Sequence, residues 1–213
     1  MEEKTISELS RFVEQELGAD HSGHGVQHAQ RVVKNARKIL EKEKGNEKIV
    51  ITAAYLHDCI DHKLFSDKDL QLKKIATLLQ NLDYSKEEFA EISDIIQTIS
   101  FSCEKSRTLS SLNAQIVCDA DRLDAIGAIG IIRTIEYGAS RGRNFYDGED
   151  LEKVQRGAFS QIDKASTLAH FYDKLLLLKG LMYTQTAKEL AEKRTLFMKD
   201  FLTEFYEELD FNL

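Results

Sequence analysis

The sequence predicts an all-α fold, one bundle-like domain of about nine or ten helices spanning residues 1–213. Three observations carry that expectation. The 213 residues include no proline while Ala, Leu, Ile, Glu and Lys abound, so breakers of helix interiors are nearly absent. Apolar residues recur three and four apart through most of the chain. Gly18 and Gly45 fall where that periodicity lapses, as helix ends require.

Taken in order, the first helix is expected from about Ser7 to Leu17, with Ile6, Leu9, Phe12, Val13 and Leu17 on one side and Gly18 as its stop. A polar loop, Ala19 to Gly25, delivers His21, His24 and His28 to a second helix carrying Val32, Val33, Ala36, Ile39 and Leu40. Gly45-Asn46 ends that helix and caps a third, through Ile49, Val50, Ala53, Ala54 and Leu56. Ser66 opens a fourth with Leu70, Ile75, Leu78, Leu79 and Leu82 inside. Ser85-Lys-Glu-Glu88 is a capping box ahead of Phe89, Ile92, Ile95, Ile96 and Ile99. Residues 100–111 read as a polar loop that either frays or covers a site.

Helix resumes at about Leu112 and runs through Asp121 and Asp124. Gly127 and Gly130 lie three apart, a spacing that lets a neighbouring helix approach. Gly138 to Gly148 is the longest turn-rich stretch, and its Arg141 and Arg143 make it a candidate lid. About three helices follow, the last from about Thr184 to Leu209. No linker composition separates this tail, so residues from about 150 are expected to pack on the core, extend it, or offer the surface of a homodimer.

The chemistry concentrates in Ala53 to Lys63, Ala-Ala-Tyr-Leu-His-Asp-Cys-Ile-Asp-His-Lys. His57 and Asp58 arrive where an apolar helix face is still buried, and a cation is the obvious partner for a buried charge. Adjacent helical residues diverge by about 100°, so the two share an ion only if it lies between their directions, near the helix end. Other segments must complete such a site. His28, in His24-Gly-Val-Gln-His28-Ala-Gln-Arg31, and Asp121, in Asp119-Ala-Asp121-Arg122-Leu-Asp124, fit that need. Antiparallel packing of the second and third helices sets His28 beside His57.

This ordered set, His28, then His57-Asp58, then Asp121, resembles the HD-domain superfamily of metal-dependent phosphohydrolases, with its expected helical-bundle fold. The similarity continues through Gly127 to Gly130 and His170 to Leu178, toward a compact single-domain bacterial branch. The resemblance implies His28, His57, Asp58 and Asp121 as ligands of one divalent ion. Asp61 matches an acidic residue that follows the doublet at the same offset in nucleotide-cleaving members. His62 departs from variants with a second acid there, and the further histidines of two-metal members are not found.

Two imidazoles and two carboxylates suit Mn²⁺, Ni²⁺, Fe²⁺, Co²⁺, Zn²⁺ or Mg²⁺. Four protein ligands on a six-coordinate ion leave room for a phosphoryl oxygen and a metal-bound water as nucleophile. Asp61, three after Asp58, shares its face if the helix persists and is the expected proton-transfer group. Lys63 is the first choice of phosphate contact, followed by Arg31, Arg122, Arg141 and Arg143. Arg122 has the alternative of bracing Asp58 or Asp124, and Arg31 a similar one. Arg141 and Arg143 read equally as solvated loop charges, and His24 and His62 divide between substrate contact and polar surface. Asp119 points away from Asp121.

A net charge of −7 disfavours general nucleic-acid or anionic-membrane binding and suits a small anionic substrate. Cys59, Cys103 and Cys118 show no Cys-x-x-Cys spacing, so no disulfide framework is expected. A charged N-terminus and the lack of a membrane-length apolar run point to the cytoplasm. The expected activity is metal-dependent hydrolysis of a small phosphate ester or nucleotide, with phosphomonoester and pyrophosphate cleavage both open. The rival is a non-catalytic helical regulator or nucleotide sensor with a structural metal.

Overall fold

The computed structural model describes the chain apart from residues 19–24, 62–63, 103–108, 110, 147–165 and 210–213, and apart from the side chains of residues 100–102. Among the described residues there are nine α-helices, one 3₁₀ helix and no strand. The α-helices are α1 (Glu3–Leu17), α2 (Val26–Leu40), α3 (Glu47–Leu56), α4 (Lys68–Asn81), α5 (Lys86–Ser102), α6 (Leu112–Asp124), α7 (Gly127–Ser140), α8 (Ala169–Asp173) and α9 (Gln185–Leu209), with the 3₁₀ helix at Leu175–Leu181. Two compact units divide the chain, Met1–Asp121 and Arg122–Leu213. The division falls within α6.

In the first unit, α3 is the centre because its composition leaves no alternative. Every residue from Ile49 to Leu56 is buried, and a helix apolar on all sides must be wrapped on all sides. It packs on α1, α2 and α5, while α4 lies on α5. Asn46 caps it, its side chain accepting from the Ile49 N–H at 3.3 Å. The capping box of α5 forms in both directions. Ser85 N–H donates to the Glu88 carboxylate at 2.8 Å, and Glu88 N–H donates to the Ser85 hydroxyl at 3.2 Å. Lys48, bonded to Glu88, and then the Ser85 N–H hold that carboxyl below the usual range.

In the second unit α9 packs on α7 and on the 3₁₀ helix. Thr184 caps α9 by accepting from the Ala187 N–H at 3.3 Å. Gly127 has φ +81, and a Cβ there would lie 3.1 Å from Cβ of Arg194. A side chain at this position meets both a left-handed backbone and α9. Phe145, Phe171, Phe201 and Phe205 form an aromatic cluster between α8 and α9, with the Phe145 and Phe205 rings 4.9 Å apart, edge to face.

Local expectations shift at four places. α1 begins at Glu3 rather than Ser7. α4 is capped by Asp67, one residue after Ser66, and turns Gln71, Ile75 and Leu79 inward; Leu70, expected inside, is 49% exposed. Gln71 takes the buried place because its amide reaches the Glu16 carboxylate at 3.0 Å. α5 continues through Ser102, into the expected loop. α7 runs through Gly138 to Ser140, so the turn begins at Arg141, with Gly142 at φ +67. Residues 147–148 of the candidate lid, and 103–108 and 110 of the earlier loop, lie outside the described residues.

Replacing Ser85 by Ala removes one half of the reciprocal cap and is expected to lower unfolding stability by about 1 kcal/mol, measured by urea denaturation with an unchanged m-value.

Candidate metal centre

The site grows from two helix ends. His28 is the third residue of α2, and His57 closes α3 in helical conformation. Because α2 and α3 pack antiparallel, the start of one meets the end of the other. His28 Nε2 and His57 Nε2 lie 3.2 Å apart, with both imidazoles 3% exposed. Asp58 Oδ2 is 3.4 Å from each of these nitrogens. Asp121 comes from α6, its Oδ1 3.3 Å from His28 Nε2 and 3.8 Å from His57 Nε2. His28, His57 and Asp58 each offer a ligand atom within 4.8 Å of the other two.

These separations suit one ion better than they suit direct pairing. A charge-assisted N–H···O⁻ bond closes to about 2.7–2.9 Å, and the four carboxylate approaches are all longer. Donors bound at about 2.1 Å to one cation stand about 3.0 Å apart at an octahedral edge and about 3.4 Å apart at a tetrahedral one. Four of the five observed distances fall in that range, and the fifth, from His57 Nε2 to Asp121 Oδ1, is longer at 3.8 Å. The tautomer agrees as well. His57 Nδ1 lies 2.9 Å from the Ala54 carbonyl, which can only accept, so Nδ1 carries the proton and the Nε2 lone pair faces the cluster. The residues therefore fit a divalent cation.

The helix expected to carry Asp61 onto the face of Asp58 does not persist that far. The α-helix ends at Leu56, and the chain tightens into turns in which Cys59 N–H donates to Leu56 O at 3.0 Å and Asp61 N–H to Asp58 O at 3.1 Å. Three residues per turn nearly eclipse positions three apart. Asp61 thus sits one turn above Asp58, 8% exposed. Burial, then the Asp58 and Glu16 charges, push up the thiol of the buried Cys59 that lies between them in sequence. Cys118 is likewise buried.

The cations fare unequally. Arg31 is half-buried one turn from His28. Arg122, a candidate phosphate contact, is instead built into the second unit. It is 4% exposed, donates to the Leu181 carbonyl and lies 5.2 Å over the Tyr183 ring. Asp124 pairs with Arg133 at 2.6 Å. Arg141 lies 5.4 Å over Tyr137 of the preceding helix, and both it and Arg143 are exposed. His24, His62 and Lys63 lie outside the described residues. Asp119 is fully buried, as a residue turned away from Asp121 on the same helix must be. Sequence reasoning passed over Asn35, whose side chain bonds to the carbonyl of Ala120 at 3.0 Å; its signal was an amide two turns after His28 on an apolar face.

An all-helical scaffold that gathers two imidazoles and two carboxylates at the meeting of helix ends defines a metal-dependent phosphohydrolase of the His-Asp type. The chain belongs to the HD-domain superfamily, with the HD domain family matching residues 25–126, from His28 through Asp121. Over 208 residues it is 35% identical to YpgQ of Bacillus subtilis, covering 97% of this chain and 94% of the relative. The crystal structure of Bacillus subtilis YpgQ in complex with ADP superposes with a TM-score of 0.78 at 33% identity, covering 96% of this chain and 98% of that one. An HD-superfamily hydrolase from Bacillus thuringiensis superposes with a TM-score of 0.78 at 36% identity, covering 98% of both chains. Among the described residues no helix is long and apolar enough to cross a membrane.

Replacing His57 by Ala is expected to strip the protein of its divalent ion, read by elemental analysis, and to lower the melting temperature, because Asp58 then keeps its burial with weaker compensation. Full metal occupancy in that variant would overturn the ligand assignment.

Proposed function

We propose that this protein hydrolyses a phosphate ester or phosphoanhydride bond of a nucleotide, with His28, His57, Asp58 and Asp121 holding one divalent ion. The observation that supports the reading best is the convergence of the two imidazole Nε2 atoms with the Asp58 and Asp121 carboxylates. A nucleotide is favoured among small phosphates because YpgQ, 33% identical over 96% of this chain, forms a complex with ADP. A bound divalent ion supplies an acidified water and neutralises charge on phosphoryl oxygens, which gives a nucleophile near neutral pH without an activated Ser or Cys.

The chain's own residues do the rest. The Ala54 carbonyl holds His57 as the Nδ1–H tautomer and keeps its Nε2 lone pair turned inward. Burial of His28, His57 and Asp58 excludes bulk water from one side of the centre, where charge is then felt strongly. Asp61, one turn above Asp58, takes the proton released as water attacks and returns it to the leaving oxygen. Arg31 and Lys63 neutralise phosphate charge close to the histidines in sequence, and Arg141 and Arg143 are the remaining contacts in this reading. In the cell the reaction belongs to the cytoplasm.

Asp61→Asn discriminates an enzyme from a nucleotide sensor with a structural metal. The substitution keeps size and loses basicity, so turnover of nucleotides is expected to fall about 100-fold or more, while metal content by elemental analysis is unchanged. Equal turnover in wild type and variant would remove Asp61 from the chemistry. Absence of hydrolysis of any nucleoside mono-, di- or triphosphate by wild type, with each of Mn²⁺, Ni²⁺, Co²⁺, Zn²⁺ and Mg²⁺ supplied and with anaerobic Fe²⁺, would overturn the enzymatic reading.

A further inference from the structure

We infer that Asn35 is a positioning residue for the metal centre, setting where α6 carries Asp121 relative to His28 on α2. The inference rests on the metal-site reading above and assigns a role to a residue outside the ligand set.

Asn35 lies seven residues after His28, two turns along the same face of α2, and is 8% exposed. Its Nδ2 donates to the carbonyl of Ala120 at 3.0 Å. Ala120 immediately precedes Asp121, and its carbonyl lies within α6, where a carbonyl's two lone pairs accept both the helical N–H and a second donor. The bond therefore adds to the helix ladder without replacing part of it. It joins the backbone beside one ligand to the helix that bears another. Its purpose is geometric, because α6 does not need it to be a helix.

Another polar tether of α6 in this unit lies toward its opposite end. Asn113 accepts from the Asn46 N–H at 2.8 Å and donates to Glu91 at 2.7 Å, tying the start of α6 to the start of α3 and to α5. Eight residues separate Asn113 from Asp121, about 12 Å of helix. A swing of about 5° around that far tether moves Asp121 by about 1 Å, whereas ligand distances at a metal hold to about 0.2 Å. Apolar packing of Ile116 and Val117 is non-directional and limits such a swing poorly. A directional bond at Ala120, next to the ligand, limits it well. Asp121 is also the most exposed of the four proposed ligand residues, its side chain 27% accessible.

The test compares Asn35→Leu and Asn35→Ala with wild type, His57→Ala and Tyr84→Phe. Tyr84→Phe breaks a partly buried hydrogen bond to Thr52 in the same unit and serves as a comparison structural lesion. Affinity for Mn²⁺ alone is measured by calorimetry, with melting temperature and circular dichroism recorded for each protein. The expected result is Mn²⁺ affinity lowered about tenfold or more in both Asn35 variants, unchanged in Tyr84→Phe, with native helicity in all. Mn²⁺ affinity within twofold of wild type in a folded Asn35 variant overturns the inference, provided that His57→Ala has lost binding. Undiminished binding in His57→Ala overturns the site reading itself, and the inference with it. If Asn35→Leu does not fold, Asn35→Ala decides by the same criterion. An equal loss of affinity in Tyr84→Phe reduces Asn35 to general stability and overturns its positioning role.

Discussion

The packing of α2 against α3 is the constraint on which the rest of the first unit depends. α3 is apolar around its whole circumference, so it must be enclosed, and enclosing it brings the beginning of α2 to its end. The two imidazole nitrogens 3.2 Å apart are a consequence of that packing. Neither helix has a local reason to place a histidine there. Burying two histidines and an aspartate among apolar side chains costs solvation free energy, a cost that a shared cation would offset. Core and site are therefore one structure, in which the apolar helix supplies position and a bound ion would supply compensation.

The end of α3 shows how a helix terminus is put to use. A helix end leaves carbonyls without intrahelical donors. Here Ala54 O receives the His57 imidazole, while Leu56 O and Asp58 O receive the N–H groups of Cys59 and Asp61 in tightened turns. The same hydrogen bonds that finish the helix orient His57 and carry the chain through a turn from Asp58 to Asp61. In the second unit Arg133 and Arg194 perform a comparable service at the end of α6, meeting the Asp124 carboxylate and the Leu123 carbonyl. Guanidinium groups at a helix C-terminus satisfy both its open acceptors and its negative dipole end.

How far the site was legible depended on the range of the interactions involved. The His57-Asp58 doublet stood out because two polar residues closed an apolar run, a contrast visible within ten residues. His28 and Asp121 were readable as residue types at suitable helix positions, and the meeting of His28 with His57 followed from antiparallel packing of neighbours in sequence. Asn35 was not legible in the same way. Its partner is a backbone carbonyl 85 residues later, and a carbonyl has no sequence signature. The same holds for the contacts of Arg122: its guanidinium donates to the Leu181 carbonyl and lies over the Tyr183 ring, a distant segment that its own neighbours in sequence do not announce.

The sequence by itself determined the helical class, the caps at Asn46 and Ser85-Glu88, the apolar identity of α3 and the chemical types of the candidate ligands. All of these follow from interactions between residues within a few positions of one another. Tertiary structure decided which face of α4 turned inward, where α5 and α7 ended, which nitrogen of His57 faced the centre, and how far Asp121 stands from His28. Those outcomes depend on contacts between distant segments, whose energies are set by packing and cannot be read from either segment alone.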